Sequence, residues 1–137
     1  MRGNHLPEAW TWAAFSQVAN IASNLVDPAD WGSMPHIAPD NIERDTGRLL
    51  PFNSISQDGV TSPKHLFRPG QLLYSKIRPY LNKCVQVQFE GLCSADMYPL
   101  DVFIDPRYLH RYMLTRQFVS AVSEAAGSRT VLPKTNQ

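Results

Sequence analysis

Residues 72–83, LLYSKIRPYLNK, place Lys76, Arg78 and Lys83 among Tyr74, Tyr80 and Asn82. Ammonium and guanidinium groups neutralise phosphates, whereas arginine and asparagine side chains have the geometry to pair with guanine or adenine edges. The chemistry offered by this combination is nucleic-acid binding. Lys76 and Lys83 are candidate phosphate contacts. Arg78 and Asn82 are candidate base readers, each such pair supplying roughly 1 to 3 kcal/mol of discrimination. Lys64, Tyr74 and Tyr80 complete the DNA-binding set in this stretch, and Arg129 and Lys134 extend it into the polar tail at 128–137. Plainer roles stand beside these: Arg78 bracing a loop by pairing with Asp96 or Asp101, Tyr80 in the core, and the tail cations simply solvated.

Charge is segregated along the chain although the net charge is only +1. Residues 60–89 hold five cations (Lys64, Arg68, Lys76, Arg78 and Lys83) and no acid, and residues 90–106 hold four acids and no cation. Such asymmetry says more about partners than the total does. The helix cations Arg107, Arg111 and Arg116 read first as a solvated face, although one turned toward DNA would add a phosphate contact. Trp10, Trp12 and Trp31 read as core or interface anchors rather than stacking platforms.

Catalytic parts are not visible. Ser75 and Lys76 are neighbours, which on a strand point to opposite faces and cannot activate one another. No acidic-x-Lys triplet accompanies Pro39 and Asp40 to suggest a metal-dependent nuclease. No Asp-Pro-Pro-Tyr-like or glycine-rich loop suggests a methyltransferase. Two cysteines and four scattered histidines lack metal-ligand spacing. No catalytic residue, metal or cofactor is therefore expected. Cys84 and Cys93 lie where antiparallel strands could bring them together, and a reduced, buried pair is expected. No apolar run of about 18 residues spans a bilayer, and the amino terminus lacks a signal-peptide pattern, so a cytoplasmic setting without a membrane partner is the default.

The elements that must position these residues follow from periodicity. With 137 residues, of which 43% are hydrophobic, the chain suits one domain over 1–137. An extended entry over 6–12 leads to a modest helix over 13–25, or to a strand entering a turn. Residues 27–48, rich in Pro, Gly, Asp and Asn, predict irregular structure with Asx turns and one extended piece near Ile37. A short strand over 51–55 and a turn around Asp58-Gly59 come next. Phe67 to Gly70 predicts a turn, 72–77 a strand ended by Pro79, and 84–89 a half-buried strand with Val85, Val87 and Phe89 inward. Strands over 92–94 and 100–104 complete one small sheet. Asp105-Pro106 as cap and first helical residue, and Gly127 as stop, delimit a helix over 106–126 with Leu109, Tyr112, Met113, Phe118, Val119 and Val122 on its core face. The fold class is α+β: a small, largely antiparallel sheet packed on a C-terminal helix, with long irregular loops.

The runs FRPGQLLYSKIRPYLNK, GLCSADMYPL, YLHRYMLTRQF and AAGSRTVLPKTNQ, with LPEAWTW and HIAPDNIERDTGRL before them, resemble the target recognition domain of the specificity subunit of type I restriction-modification systems. The order and spacing match over most of the chain. The resemblance implies a non-catalytic component that reads double-stranded DNA. It implies as partners a modification (methyltransferase) subunit and, through it, a restriction subunit. Full-length members carry two such domains joined by long helices, so this chain is expected to be a truncated or half-length subunit able to self-associate, or a gene fragment. In a family whose members differ in target, bases are read outside the shared motifs, which points to the segments at 27–33 and 53–65. The competing reading is a protein-interaction module that docks a methyltransferase or another specificity chain without touching DNA. Salt separates the two, because phosphate binding weakens steeply with ionic strength and apolar docking does not.

Overall fold

A computed structural model describes residues 17–127. The expectations at 6–12, Trp10, Trp12, Arg129, Lys134 and the tail lie outside the described residues.

Nine strands form two sheets rather than one. The first contains β1 (Ala19–Ile21), β6 (Leu72–Ser75), β7 (Cys84–Gln86) and β9 (Met97–Val102) in the order β1-β9-β6-β7, antiparallel throughout. The second contains β2 (Leu25–Val26), β3 (Pro35–Ile37), β4 (Asn53–Ser54), β5 (Lys64–Phe67) and β8 (Gly91–Ser94) in the order β2-β5-β8-β3-β4. Only the β3–β8 pair in it is parallel. Among the described residues the helices are, beyond the helical pair Gln17 and Val18, a single turn α1 (Ile55–Asp58), then α2 (Pro106–Met113) and α3 (Arg116–Gly127). The α+β class and the largely antiparallel pairing hold.

Two apolar cores explain why a second sheet is needed. Leu72, Tyr74, Cys84 and Leu100 pack with Leu109, Met113, Phe118 and Val122 of the helices. From the opposite face of the same sheet, Leu73, Val85, Val87 and Met97 pack with Ile37, Phe67 and Cys93 of the second sheet. The layers run helices, sheet, sheet. A strand in the middle layer is covered on both faces and shows no inward and outward alternation, which is why all four residues of β6 are buried.

Several expectations need correction. Within its described part, the stretch expected as a helix over 13–25 is helical at Gln17 and Val18 and then gives strands β1 and β2, because Ala19 and Ile21 lie on the helix-facing side of the first sheet, paired to Val102 and Leu100 of β9. The single helix over 106–126 is two. Leu114 ends α2, and the Thr115 hydroxyl accepts the Phe118 amide at 3.2 Å, the capping bond of a new helix. Its start is as expected, with Asp105 Oδ1 accepting the Arg107 amide at 2.9 Å ahead of Pro106. Strand β5 was not foreseen, since its buried Lys64 and His65 disguise an interior strand as a polar turn. Cys84 and Cys93 are not neighbours in one hairpin: each belongs to a different sheet and a different core. Both are buried and free, and burial pushes both thiols up, Cys93 to about 12.

The turn that leads into β6 is as the sequence suggests. Gly70 has φ +94, and the Gln71 amide returns to the Arg68 carbonyl at 3.2 Å, with Pro69 and Gly70 at the corners.

Candidate nucleic-acid interface

The basic stretch leaves the first sheet at Ser75 and re-enters it at Cys84. Its base is closed by Ser75 N–H to the Lys83 carbonyl at 3.0 Å, and Lys76 N–H reaches the Asp96 carbonyl at 3.0 Å. Between them lies a 3-10 turn, Pro79–Leu81, flanked by Arg78 at φ +50 and Asn82 at φ +52. Two left-handed residues around a proline push the turn out of the sheet and present its apex to solvent.

Only part of the candidate set reaches the surface there. Arg78 is exposed and forms no ion pair with another described residue, so neither Asp96 nor Asp101 braces it. Asp101 instead accepts Gln71 Nε2 at 2.7 Å. Tyr80 is 57% exposed and Ile77 is 40% exposed, which excludes the core role for Tyr80. Lys76 is half-buried, with its ammonium 4.8 Å from the Tyr98 ring centroid. Lys83 is half-buried and donates to the Pro39 carbonyl at 3.0 Å.

Three candidates are interior residues. Tyr74 is 1% exposed and meets the Phe118 ring edge-on at 6.1 Å, with a buried hydroxyl that has no hydrogen-bond partner among the described residues. Burial raises its phenol pKa. Asn82 is 1% exposed and donates through Nδ2 to the Leu114 carbonyl at 3.3 Å, so it ties the turn to the helices instead of meeting a base. Lys64 is 7% exposed and donates to Ser62 Oγ at 3.2 Å. For Tyr74, strand periodicity alone could not show this, because it assumes one solvent face where β6 is covered on both.

The turn is bordered by two clefts. One, of about 260 Å³, is lined by Pro39, Asp40, Ile77, Arg78, Leu81 and Lys83. The other, of about 470 Å³, is lined by Arg44, Asp45, Tyr80, Asn82 and Arg116 together with Leu114 and Val119. Arg44 was not among the candidates, and Arg116 stood there only as one of three helix cations of which one turned toward DNA would add a phosphate contact. Both stand far from Tyr80 in sequence, and no local signal could have joined them to it.

The segment at 53–65 is ordered by its own polar contacts. Ser54 and Gln57 form a reciprocal cap on α1, and Gly59 closes it at φ +64. His36 Nδ1 lies 2.7 Å from Asp58 Oδ2, and Asn53 Nδ2 donates to Asp58 Oδ1 at 3.0 Å. These contacts hold the Asp58 carboxyl below its usual range, His36 contributing most and Asn53 next. Ser56, Gln57, Thr61 and Ser62 remain exposed. At 27–33, Asp27 Oδ1 accepts the Ala29 amide at 3.0 Å, Trp31 is half-buried, and Ala29, Asp30 and Ser33 are exposed.

Among the described residues there is no group of three metal-ligating side chains, and no helix is long and apolar enough to cross a membrane. No protein-family model matches the chain. The chain is 52% identical over 132 residues to the EcoDI type I restriction enzyme specificity subunit of Escherichia coli. This chain is a homologue of a type I restriction specificity subunit. The match takes in 96% of the chain, which spans about 30% of that relative's length. The HsdS subunit from Thermoanaerobacter tengcongensis has the same fold, with a TM-score of 0.71 at 18% identity over 90% of this chain and 34% of the other. A chain from a structure concerning complex assembly and conformational transition of the type I R-M system gives a TM-score of 0.69 at 19% identity. It covers 88% of this chain and 33% of the other.

Proposed function

We propose that the chain acts as one target recognition domain over 1–137. In this reading it binds one half of a bipartite double-stranded DNA site, in a cytoplasmic restriction-modification system. It carries no catalysis of its own; methylation and cleavage belong to the modification subunit and to the restriction subunit recruited through it. The observation that carries this reading is the 52% identity to a specificity subunit over 96% of the chain. The exposed turn bearing Arg78 and Tyr80 between two cation-lined clefts supports it. In a two-domain assembly, self-association of two such chains would supply the second half-site.

Arg78 and Tyr80 are the members of the original set best placed to touch DNA, Lys76 and Lys83 support the turn beneath them, and Arg129 and Lys134 remain candidate phosphate contacts. The exposed side chains at 27–33 and 53–65 are the proposed base readers.

The test is binding of the full chain to a mixed-sequence duplex pool over a salt series, with sequencing of the bound fraction. A steep salt slope and one enriched half-site are expected. Absence of binding at low salt, together with salt-insensitive capture of a methyltransferase subunit, would replace DNA reading by the interaction-module alternative.

A further inference from the structure

Asn82 joins two segments that each carry an arginine. Its carbonyl accepts the Asp45 amide at 3.1 Å and its Nδ2 donates to the Leu114 carbonyl at 3.3 Å. Arg44 immediately precedes the first of these partners, and Arg116 follows two residues after the second. The link therefore fixes the loop that bears Arg44 against the start of α3. Both arginines line the same cleft, of about 470 Å³, with Tyr80 and Asn82.

The charges in that cleft are available to a ligand. Arg116 forms no ion pair with a described residue, and Arg44 has one exposed contact, Nε to Asp45 Oδ2 at 3.4 Å. The cleft also abuts the amino-terminal end of a twelve-residue helix, which adds partial positive charge. Asn82 is 1% exposed, and its Oδ1 has no hydrogen-bond partner among the described residues.

We propose that this cleft seats a phosphate of the DNA backbone, with Arg44 and Arg116 as its contacts and Tyr80 packed on the adjoining sugar. The proposal rests on the DNA-recognition reading and adds two residues from outside the basic segment. Guanidinium groups suit the task because each presents a planar fork of donors to phosphate oxygens. Asn82 acts beneath the cleft, where its bonds to Asp45 and Leu114 hold the two arginine-bearing segments together. A phosphate contact sets register without reading sequence. The pair of arginines thereby fixes how the Arg78 turn approaches the duplex, and discrimination is left to other surfaces.

The experiment compares the 137-residue chain with R44A, R116A and R107A on two duplexes, one with the enriched half-site and one scrambled, over a salt series. Arg107 is the control because it is exposed and paired with Asp105 outside the cleft. R44A and R116A are expected to weaken both duplexes by the same factor. Each should lower the slope of log affinity against log salt by about 0.9, the loss of one phosphate contact, while R107A leaves the slope in place. R44K and R116K should keep the slope and lose part of the affinity. Wild type that binds with a slope unchanged in both alanine variants overturns the phosphate seat alone. Unequal losses between the two duplexes also overturn it, since they make the arginines base readers. Wild type that binds neither duplex at low salt overturns the DNA-recognition reading as well.

Discussion

Tyr74 shows how residue type and residue role part company. In sequence it sits two positions from Lys76 inside the most basic stretch of the chain, yet its ring lies against Phe118 beneath the helices. A buried hydroxyl without a partner costs stability, and its removal leaves the packing intact. Tyr74→Phe is therefore expected to melt at the same temperature as wild type or higher, by up to about 1 kcal/mol of stability, with DNA affinity unchanged. Tyr74→Ala should lose about 3 to 5 kcal/mol through the cavity it opens. Denaturant melts of the two variants check this, and a loss of DNA binding in Tyr74→Phe with its stability intact would return Tyr74 to the interface. Asn82 carries the same lesson, since an amide with base-pairing geometry is spent on the Leu114 carbonyl.

At the scale of elements, strand β4 and the single turn α1 form the proposed reading surface, and they are too short to stand alone. Their order comes from the Ser54–Gln57 cap and from Asp58, which bridges Asn53 and His36. The Asp58 carboxyl ionises below its ordinary 3.8 in the fold. A carboxyl with a depressed folded pKa contributes stability that is fully present above the unfolded value and is lost as pH falls through the folded one. The segment at 53–59 is accordingly expected to hold its structure from neutral pH down to about 4 and to loosen below it, ahead of the two sheets. Asp58→Ala should be loose at every pH. Backbone resonances followed through an acid titration provide the measurement, and coincident loss of segment and sheets would show that the His36–Asp58 contact is not what orders it.

At the scale of the whole molecule, the chain crosses from the first sheet to the second between Val87 and Gly91, and the crossing is tightly packed. A Cβ at Gly91 would come within 2.7 Å of the Phe67 ring and 2.8 Å of the Pro35 carbonyl oxygen, so β8 can run between β5 and β3 only if residue 91 has no side chain. The Pro35 oxygen is backbone and cannot step aside. Gly91→Ala is expected to cost about 1 to 3 kcal/mol, read in a denaturant melt as a lower midpoint with the cooperative slope retained. A variant as stable as wild type would mean that the β3–β8–β5 stack tolerates expansion there. The crossing also explains why Cys84 and Cys93, nine residues apart, face different cores.

What the amino-acid sequence determined by itself was what local chemistry can encode. The Arg68–Gln71 turn follows from proline and glycine at its corners, the start of α2 from Asp105 and Pro106, and the packing of Val85 and Val87 in one core from alternation over 84–89. The proposed class of partner draws on the same local chemistry, since residues 60–89 hold five cations and no acid. The runs that resemble specificity subunits agree with the 52% identity to one such subunit. Only the tertiary structure decided which of those residues meet solvent. A strand's solvent face depends on what lies above and below it, and covering β6 on both sides turned Tyr74 and Ser75 into core while leaving Arg78 and Tyr80 at the apex of the turn. Tertiary packing alone brought Arg44 and Arg116 to one cleft with Tyr80. Their meeting depends on hydrogen bonds between Asn82 and residues more than thirty positions away on either side, and no local pattern encodes contacts at that separation.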